Sequence, residues 1–187
     1  MTLRRAIFLD RDGVINVNRS DHVKAWDEFV FLPRALEALR RLAASPFVII
    51  VTTNQAAIAR GITAESVVRE IHAKMLDAVR QNGGRIDAVY YCPHHPDEHC
   101  DCRKPQPGMY LRAASDLDLD PAQSIVIGDA VSDLVAARAI GAQPILVLTG
   151  RGQEYRAEMI RQDLQAIVVN DLADAVDWIE RAEKISQ

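Results

Sequence analysis

The segment AIFLDRDGVINVN, residues 6–18, decides how the rest of the chain is read. Its four apolar residues Ala6, Ile7, Phe8 and Leu9 show no polar alternation, as expected of a strand covered on both faces, and Asp10 ends the run. Asp12 follows after one residue, with Gly13 behind it. Two carboxylates in one crevice repel each other unless a cation or a shared proton relieves them. Aspartate beside glycine is also common turn chemistry, so the pair acquires meaning only from what stands on the neighbouring strand ends.

Further apolar, β-rich runs at 47–51, 86–91, 124–127, 144–148 and 166–169 alternate with helical patterns at 33–44, 64–82, 107–117, 131–140, 155–164 and 171–184. Pro33 suits the first helical position, where a missing amide costs nothing, and Thr63 suits a cap with Glu65 in the first turn. Gly83-Gly84 and Gly141 are stop signals. Runs such as SIVIG and ILVL predict an α/β fold, a parallel sheet with helices on both faces, built as one domain over residues 1–187. Ligands of such sheets bind beyond the carboxyl ends of the strands. Those ends carry Asp10 and Asp12, then Thr52-Thr53-Asn54, then Cys92, then Gly128-Asp129.

Composition sets the class. Apolar residues make up 49% and charged residues 26% of 187, ordinary for a globular protein and unlike a disordered one. The net charge of -4, with Lys and Arg scattered, argues against a nucleic-acid partner. No apolar run reaches the roughly 20 residues of a membrane span, and residues 1–5 lead into too short an apolar run for a signal-peptide core. A cytoplasmic protein without a membrane partner is expected, with monomer as the default because no dimer seam is legible.

Asp10, Asp12 and Asp129 supply three acidic oxygen donors, the set that suits a hard Mg2+ shared with a substrate phosphate. Phosphoryl oxygens facing away from the metal need other donors, and the Thr53 hydroxyl and Lys104 ammonium can provide them. The stretch CPHHPDEHCDC contains Cys92, His94, Cys100 and Cys102 within eleven residues. Three thiolates and one imidazole form a closed tetrahedral Zn2+ shell, with no open position for substrate, so this zinc is expected to be structural. Arg103 and Lys104 follow Cys102 directly, and fixing the loop would fix the cation that reaches the phosphate.

LDRDGVI, VTTN, RKP and GDAVSD resemble, in order and spacing from Phe8 to Asp133, the four motifs of the haloacid dehalogenase superfamily. The resemblance implies a Rossmann-like domain in which Asp10 is the nucleophile, forming an aspartyl-phosphate, and Asp12 protonates the leaving alkoxide. Mg2+ would be held by Asp10, the backbone carbonyl of Asp12, and Asp129. Asp133 is either a supporting group near the metal or a helix-surface aspartate. Asp12 itself argues for a phosphatase, since the dehalogenases expel halide and lack it.

DRDGVINV, NQxxIARG, the Cys3His loop and CRKPxPGMY further resemble the D-glycero-D-manno-heptose 1,7-bisphosphate 7-phosphatases, cytoplasmic enzymes acting on a phosphosugar precursor of lipopolysaccharide heptose. No large cap domain interrupts the chain, so short loops must shape the pocket. The resemblance implies substrate contacts from Arg11, Asn18, Arg19, Ser20, Asp21, Asn54, Gln55 and Arg103. Two positions depart from that pattern: the loop Asn18-Arg19-Ser20-Asp21, and Ala130, where relatives often carry lysine. Histidinol-phosphate phosphatase is the alternative, since those relatives share the motifs and a short zinc loop; a catalytically silent zinc-stabilised binding module is the second.

Overall fold

The computed structural model describes residues 3–185. Six strands, β1 (Ala6–Leu9), β2 (Val48–Asn54), β3 (Ala88–Cys92), β4 (Ile125–Gly128), β5 (Gln143–Val147) and β6 (Ile167–Val169), form one sheet in the order β3-β2-β1-β4-β5-β6. Every pairing is parallel. Six helices connect and cover them: α1 (Ala35–Leu42), α2 (Glu65–Gln81), α3 (Gly108–Leu117), α4 (Val131–Ala139), α5 (Gly152–Arg161) and α6 (Leu172–Ile185).

Successive residues of a strand face opposite sides, and β1 shows why it is apolar throughout. Ile7 and Leu9 pack in a cluster with Leu39 of α1, Met75 of α2 and Val176 of α6. Ala6 and Phe8 face the other way, against Tyr110 of α3 and Ala137 of α4, with the Phe8 and Tyr110 rings edge-on at 5.1 Å. Complete burial of β1 on both faces removes any place for a charge until the strand ends, which puts Asp10 at the edge of the crevice. The strand order reverses on the two sides of β1, and the ligand site of an open parallel sheet lies at that switch point.

Helix starts differ from the sequence reading at α1, at α2 and most at α5, which begins at Gly152 rather than near Tyr155. Pro33 precedes α1 by two residues, and Arg34, at φ 63°, turns the chain into the helix without a side-chain cap. Ala64 rather than Thr63 is the N-cap of α2. Strand β2 also runs three residues further than its apolar stretch, so Thr52, Thr53 and Asn54 are strand residues, paired in register with Tyr90, Tyr91 and Cys92. Hydrogen-bonding to a neighbouring strand carries the polar residues to the crevice, a tertiary effect that overrides hydropathy. Between β1 and α1 the chain makes a short excursion braced by Trp26, Phe29 and Phe31, whose rings stack or meet edge-on, with Phe29 5.1 Å from each of the other two. Its tip carries Asn18, Arg19 and Ser20 to the mouth of the crevice.

Candidate active site

Asp10 is the first residue beyond β1, and its amide donates to the Ile127 carbonyl of β4 at 2.9 Å. Its Oδ1 accepts from the Arg11 amide at 2.8 Å and lies 2.9 Å from Lys104 Nζ. Lys104 also donates to the Thr52 carbonyl at 2.9 Å and to Asp133 Oδ1 at 2.6 Å, so all three ammonium hydrogens have acceptors in a buried site. The lysine is held from behind: Asn54 accepts from its backbone amide at 3.0 Å and donates to its carbonyl at 3.1 Å. Asp133 is therefore no helix-surface aspartate. It is 1% exposed, and its second oxygen accepts from the Ala130 amide at 3.2 Å.

Asp129 reaches the same centre from the end of β4, its Oδ2 accepting from the Arg151 amide at 2.8 Å. Two glycines make room for it. A Cβ on Gly13 would lie 2.1 Å from this oxygen and one on Gly150 2.2 Å, and both backbones have positive φ, 88° and 58°. Thr149 ties the two loops together through its hydroxyl, which donates to the Gly13 carbonyl at 2.7 Å.

The electrostatics call for a cation. Burial, with help from the charges of Asp133 and Asp12 and against that of Lys104, pushes the Asp10 carboxyl up to about 7. Burial and the charges of Asp10 and Asp133 push Asp129 up to about 8. Carboxylate oxygens of Asp10, Asp129 and Asp133 lie within 4.8 Å of one another. With both Asp133 oxygens engaged by Lys104 and the Ala130 amide, Asp10 and Asp129 remain to meet a metal, and an all-oxygen pair fits Mg2+.

Asp12 is arranged differently. Arg11 donates through Nη2 to both of its oxygens, at 3.0 and 2.8 Å, Asn16 donates to Oδ1 at 2.9 Å and Gln55 to Oδ2 at 3.0 Å. Burial opposes ionisation of Asp12, but the Arg11 charge and these hydrogen bonds outweigh it and hold the carboxyl below its usual range. Arg11 is itself 1% exposed and its Nη1 lies 3.0 Å from Nε2 of His72 on α2. Burial and the adjacent Arg11 charge lower His72 to about 3, so the imidazole is neutral and its Nε2 accepts from the arginine. Gln55 also donates to the Thr53 hydroxyl at 2.8 Å, linking Asp12 to the hydroxyl expected to meet the phosphoryl group.

The cysteine cluster assembles as its spacing predicts. Sγ of Cys92, Cys100 and Cys102 and Nδ1 of His94 lie within 4.8 Å of one another, with neighbouring pairs at 3.1 to 3.6 Å. A tetrahedral zinc with Zn–S of about 2.3 Å needs sulfur separations of roughly 3.8 Å, close to these. His95 takes no part: its Nδ1 accepts from the Asp97 amide at 3.3 Å, closing a local turn.

A cavity of about 610 Å3 opens over this centre. Asp10, Asp12, Thr53, Lys104 and Asp129 line it, as do Asn18, Arg19, Ser20 and Gln55 from the expected substrate contacts. Arg11 and Asn54 line it as well, with their polar atoms engaged elsewhere. Arg11 turns its guanidinium into the protein toward Asp12 and His72, and Asn54 uses its amide on the Lys104 backbone. Asp21 lies outside the lining and pairs with Arg19 at 2.9 Å and Lys24 at 2.7 Å, while Arg103 also lies outside it. The sequence reading missed Asn16, His72, Thr149, Gly150 and Arg151. The last three follow β5, so the strand-end rule, carried one strand further along the sheet, selects them.

A buried aspartate beside a fixed lysine, a second aspartate two residues on and a third on the adjacent strand, all at the switch point of a parallel sheet, define a haloacid dehalogenase-type hydrolase. The HAD-hydrolase-like family model matches residues 101–175. Over 91% of its length the chain is 42% identical to a D-glycero-beta-D-manno-heptose-1,7-bisphosphate 7-phosphatase of Pseudomonas aeruginosa, covering 94% of that protein, and 40% identical to the same-named protein of Bordetella bronchiseptica, covering 99% of it. The crystal structure of D,D-heptose 1,7-bisphosphate phosphatase from B. bronchiseptica, complexed with magnesium and phosphate, superposes with a TM-score of 0.89 at 39% identity, over 95% of this chain and 99% of that one. The chain belongs to the D-glycero-beta-D-manno-heptose-1,7-bisphosphate 7-phosphatase family.

Proposed function

We propose that this chain is a Mg2+-dependent phosphatase that removes the 7-phosphate of D-glycero-D-manno-heptose 1,7-bisphosphate through an aspartyl-phosphate on Asp10. The observation that carries the reading is the convergence of Asp10, Asp12, Thr53, Lys104 and Asp129 on one cavity, with Asp10 and Asp129 in need of a shared cation. Asp10 and Asp129, with the Asp12 carbonyl, would hold Mg2+. When bound, it neutralises these carboxylates and the negative charge of the transferring phosphoryl group.

The Asp10 carboxylate attacks phosphorus, and the bond to the sugar oxygen breaks. Lys104, its hydrogens held by Asp10, Asp133 and the Thr52 carbonyl, supplies a fixed positive charge beside the phosphoryl group, and the Thr53 hydroxyl, which accepts from Gln55, keeps its hydrogen for a phosphoryl oxygen. The leaving alkoxide takes a proton from Asp12; because the resting contacts keep this carboxyl ionised, it must first leave the Arg11 fork and take up a proton from solvent. Water then attacks the aspartyl-phosphate while Asp12, again a carboxylate, removes its proton, and Asp10 is regenerated. The three cysteines, which form no disulfide, would as thiolates hold a structural Zn2+ together with His94, which suits a reducing cytoplasm. No described helix is long and apolar enough to cross a membrane.

Phosphate release with Mg2+ on both anomers of the heptose bisphosphate, on histidinol phosphate and on fructose 1,6-bisphosphate tests the reading. Preference for a heptose bisphosphate is expected, and Asp10→Asn should lower turnover by about 10^4-fold or more. Preference for histidinol phosphate would overturn the substrate assignment; turnover of none would leave a binding module.

A further inference from the structure

Four long cationic side chains line the cavity, and three are engaged. Arg11 is enclosed by Asp12 and His72. Lys104 has three acceptors around its ammonium. Arg19 lies across Asp21, donating through Nε at 3.1 Å and Nη2 at 2.9 Å. Arg151 is the exception: its side chain is 53% exposed, its Nε is 3.7 Å from the more exposed Glu154, and among the described residues its two terminal nitrogens have no acceptor. The guanidinium is nevertheless steered, because its carbon lies 4.5 Å from the centre of the Tyr155 ring and its own backbone amide is hydrogen-bonded to Asp129. Ala130, on the same wall, brings no charge.

We infer that Arg151 binds the phosphate that is not transferred and so selects a bisphosphate over a monophosphate; this rests on the phosphatase reading above. A sugar phosphate carries a charge of about -1.5 to -2 near neutral pH, and placed in a cavity with Asp10, Asp12, Asp129 and Glu154 it needs a cation. The guanidinium fork matches two phosphate oxygens at once. Because the same residue holds Asp129 through its backbone, the distance between the distal phosphate site and the reacting centre is set by a single residue, which favours one length of substrate.

The test compares kcat and KM of wild type and Arg151→Gln on heptose 1,7-bisphosphate and on the corresponding 7-monophosphate. The substitution keeps the backbone bond to Asp129 and alters an exposed side chain, so folding is not at stake. The bisphosphate-to-monophosphate ratio of kcat/KM should fall about tenfold or more, through KM, as loss of a charged hydrogen-bonding fork predicts. Arg151→Lys should recover part of the ratio, since charge returns without the fork. A wild type without preference for the bisphosphate, or a preference untouched by Arg151→Gln, overturns the assignment while leaving the phosphatase reading intact. A wild type that hydrolyses neither substrate overturns both.

Discussion

The floor of the cavity and its rim are built on opposite principles. On the floor, Asp10, Lys104, Asp129 and Asp133 stand at strand ends or are anchored to them, are mostly buried, and have their polar atoms fixed by backbone or by one another. On the rim, Arg19, Arg151 and Glu154 project from loops and helix starts, and their closest ion-pair partners are exposed side chains. Fixed donors and charges stabilise a developing transition state because nothing has to reorient during reaction. Exposed pairs are weak and screened, so they exchange readily for a substrate group. On the proposed function, the chemistry would belong to the sheet and the choice of sugar to the loops, which can change without disturbing the floor.

The most severe way to break this contrast is to move one floor group slightly. Gly13→Ala puts a methyl where Asp129 Oδ2 lies and asks a non-glycine residue to hold φ 88°. Displacing a reacting group by about 1 Å can cost about 100-fold, so kcat should fall by that much or more while the circular dichroism spectrum stays folded. Near-normal turnover would show that the floor is more compliant than its packing implies.

An intermediate effect concerns stability without Mg2+, zinc being retained. Asp10 and Asp129 titrate at about 7 and about 8 in the folded protein against an ordinary carboxylate value of 3.8. The folded state thus binds more protons than the unfolded chain across this window, and stability falls as pH rises from about 4 to about 8. Asp12, held low, has the opposite sign, but its contribution is lost only as pH falls below the ordinary range. Melting temperatures should therefore drop with rising pH in Mg2+-free protein, and added Mg2+ should raise them most at the alkaline end. A flat profile would mean that the carboxylates are not in conflict.

The smallest effect is expected at the rim. Asp21→Asn removes the exposed partner of Arg19 and Lys24, and kcat/KM should change by no more than about a few-fold, since such pairs contribute little in water. A large loss of turnover would make the loop part of the catalytic floor and erase the distinction.

How far the sequence could be read follows the same division. β1 is legible to the residue, because a strand buried on both faces has no polar position to blur its limits. The zinc cluster is equally legible, since its ligands fall within eleven residues and loop geometry alone brings them together. The ends of β2 and the starts of α1 and α2 are not, because partner strands and a left-handed turn at Arg34 set them.

Sequence by itself determined the layered α/β architecture, the placing of Asp10 and Asp12 just beyond the end of β1, and the close spacing of Cys92, His94, Cys100 and Cys102. These depend on hydrophobic period and close spacing, which the chain carries locally. Only the tertiary structure decided which side chains serve them. His72 meets Arg11 across 61 residues, Gln55 meets Asp12 across 43, and Thr149 closes on Gly13 across 136. The order of the strands in the sheet and the direction each side chain takes at a strand end fix those meetings. Neither has a signature in one segment of sequence, because both arise from how distant segments pack.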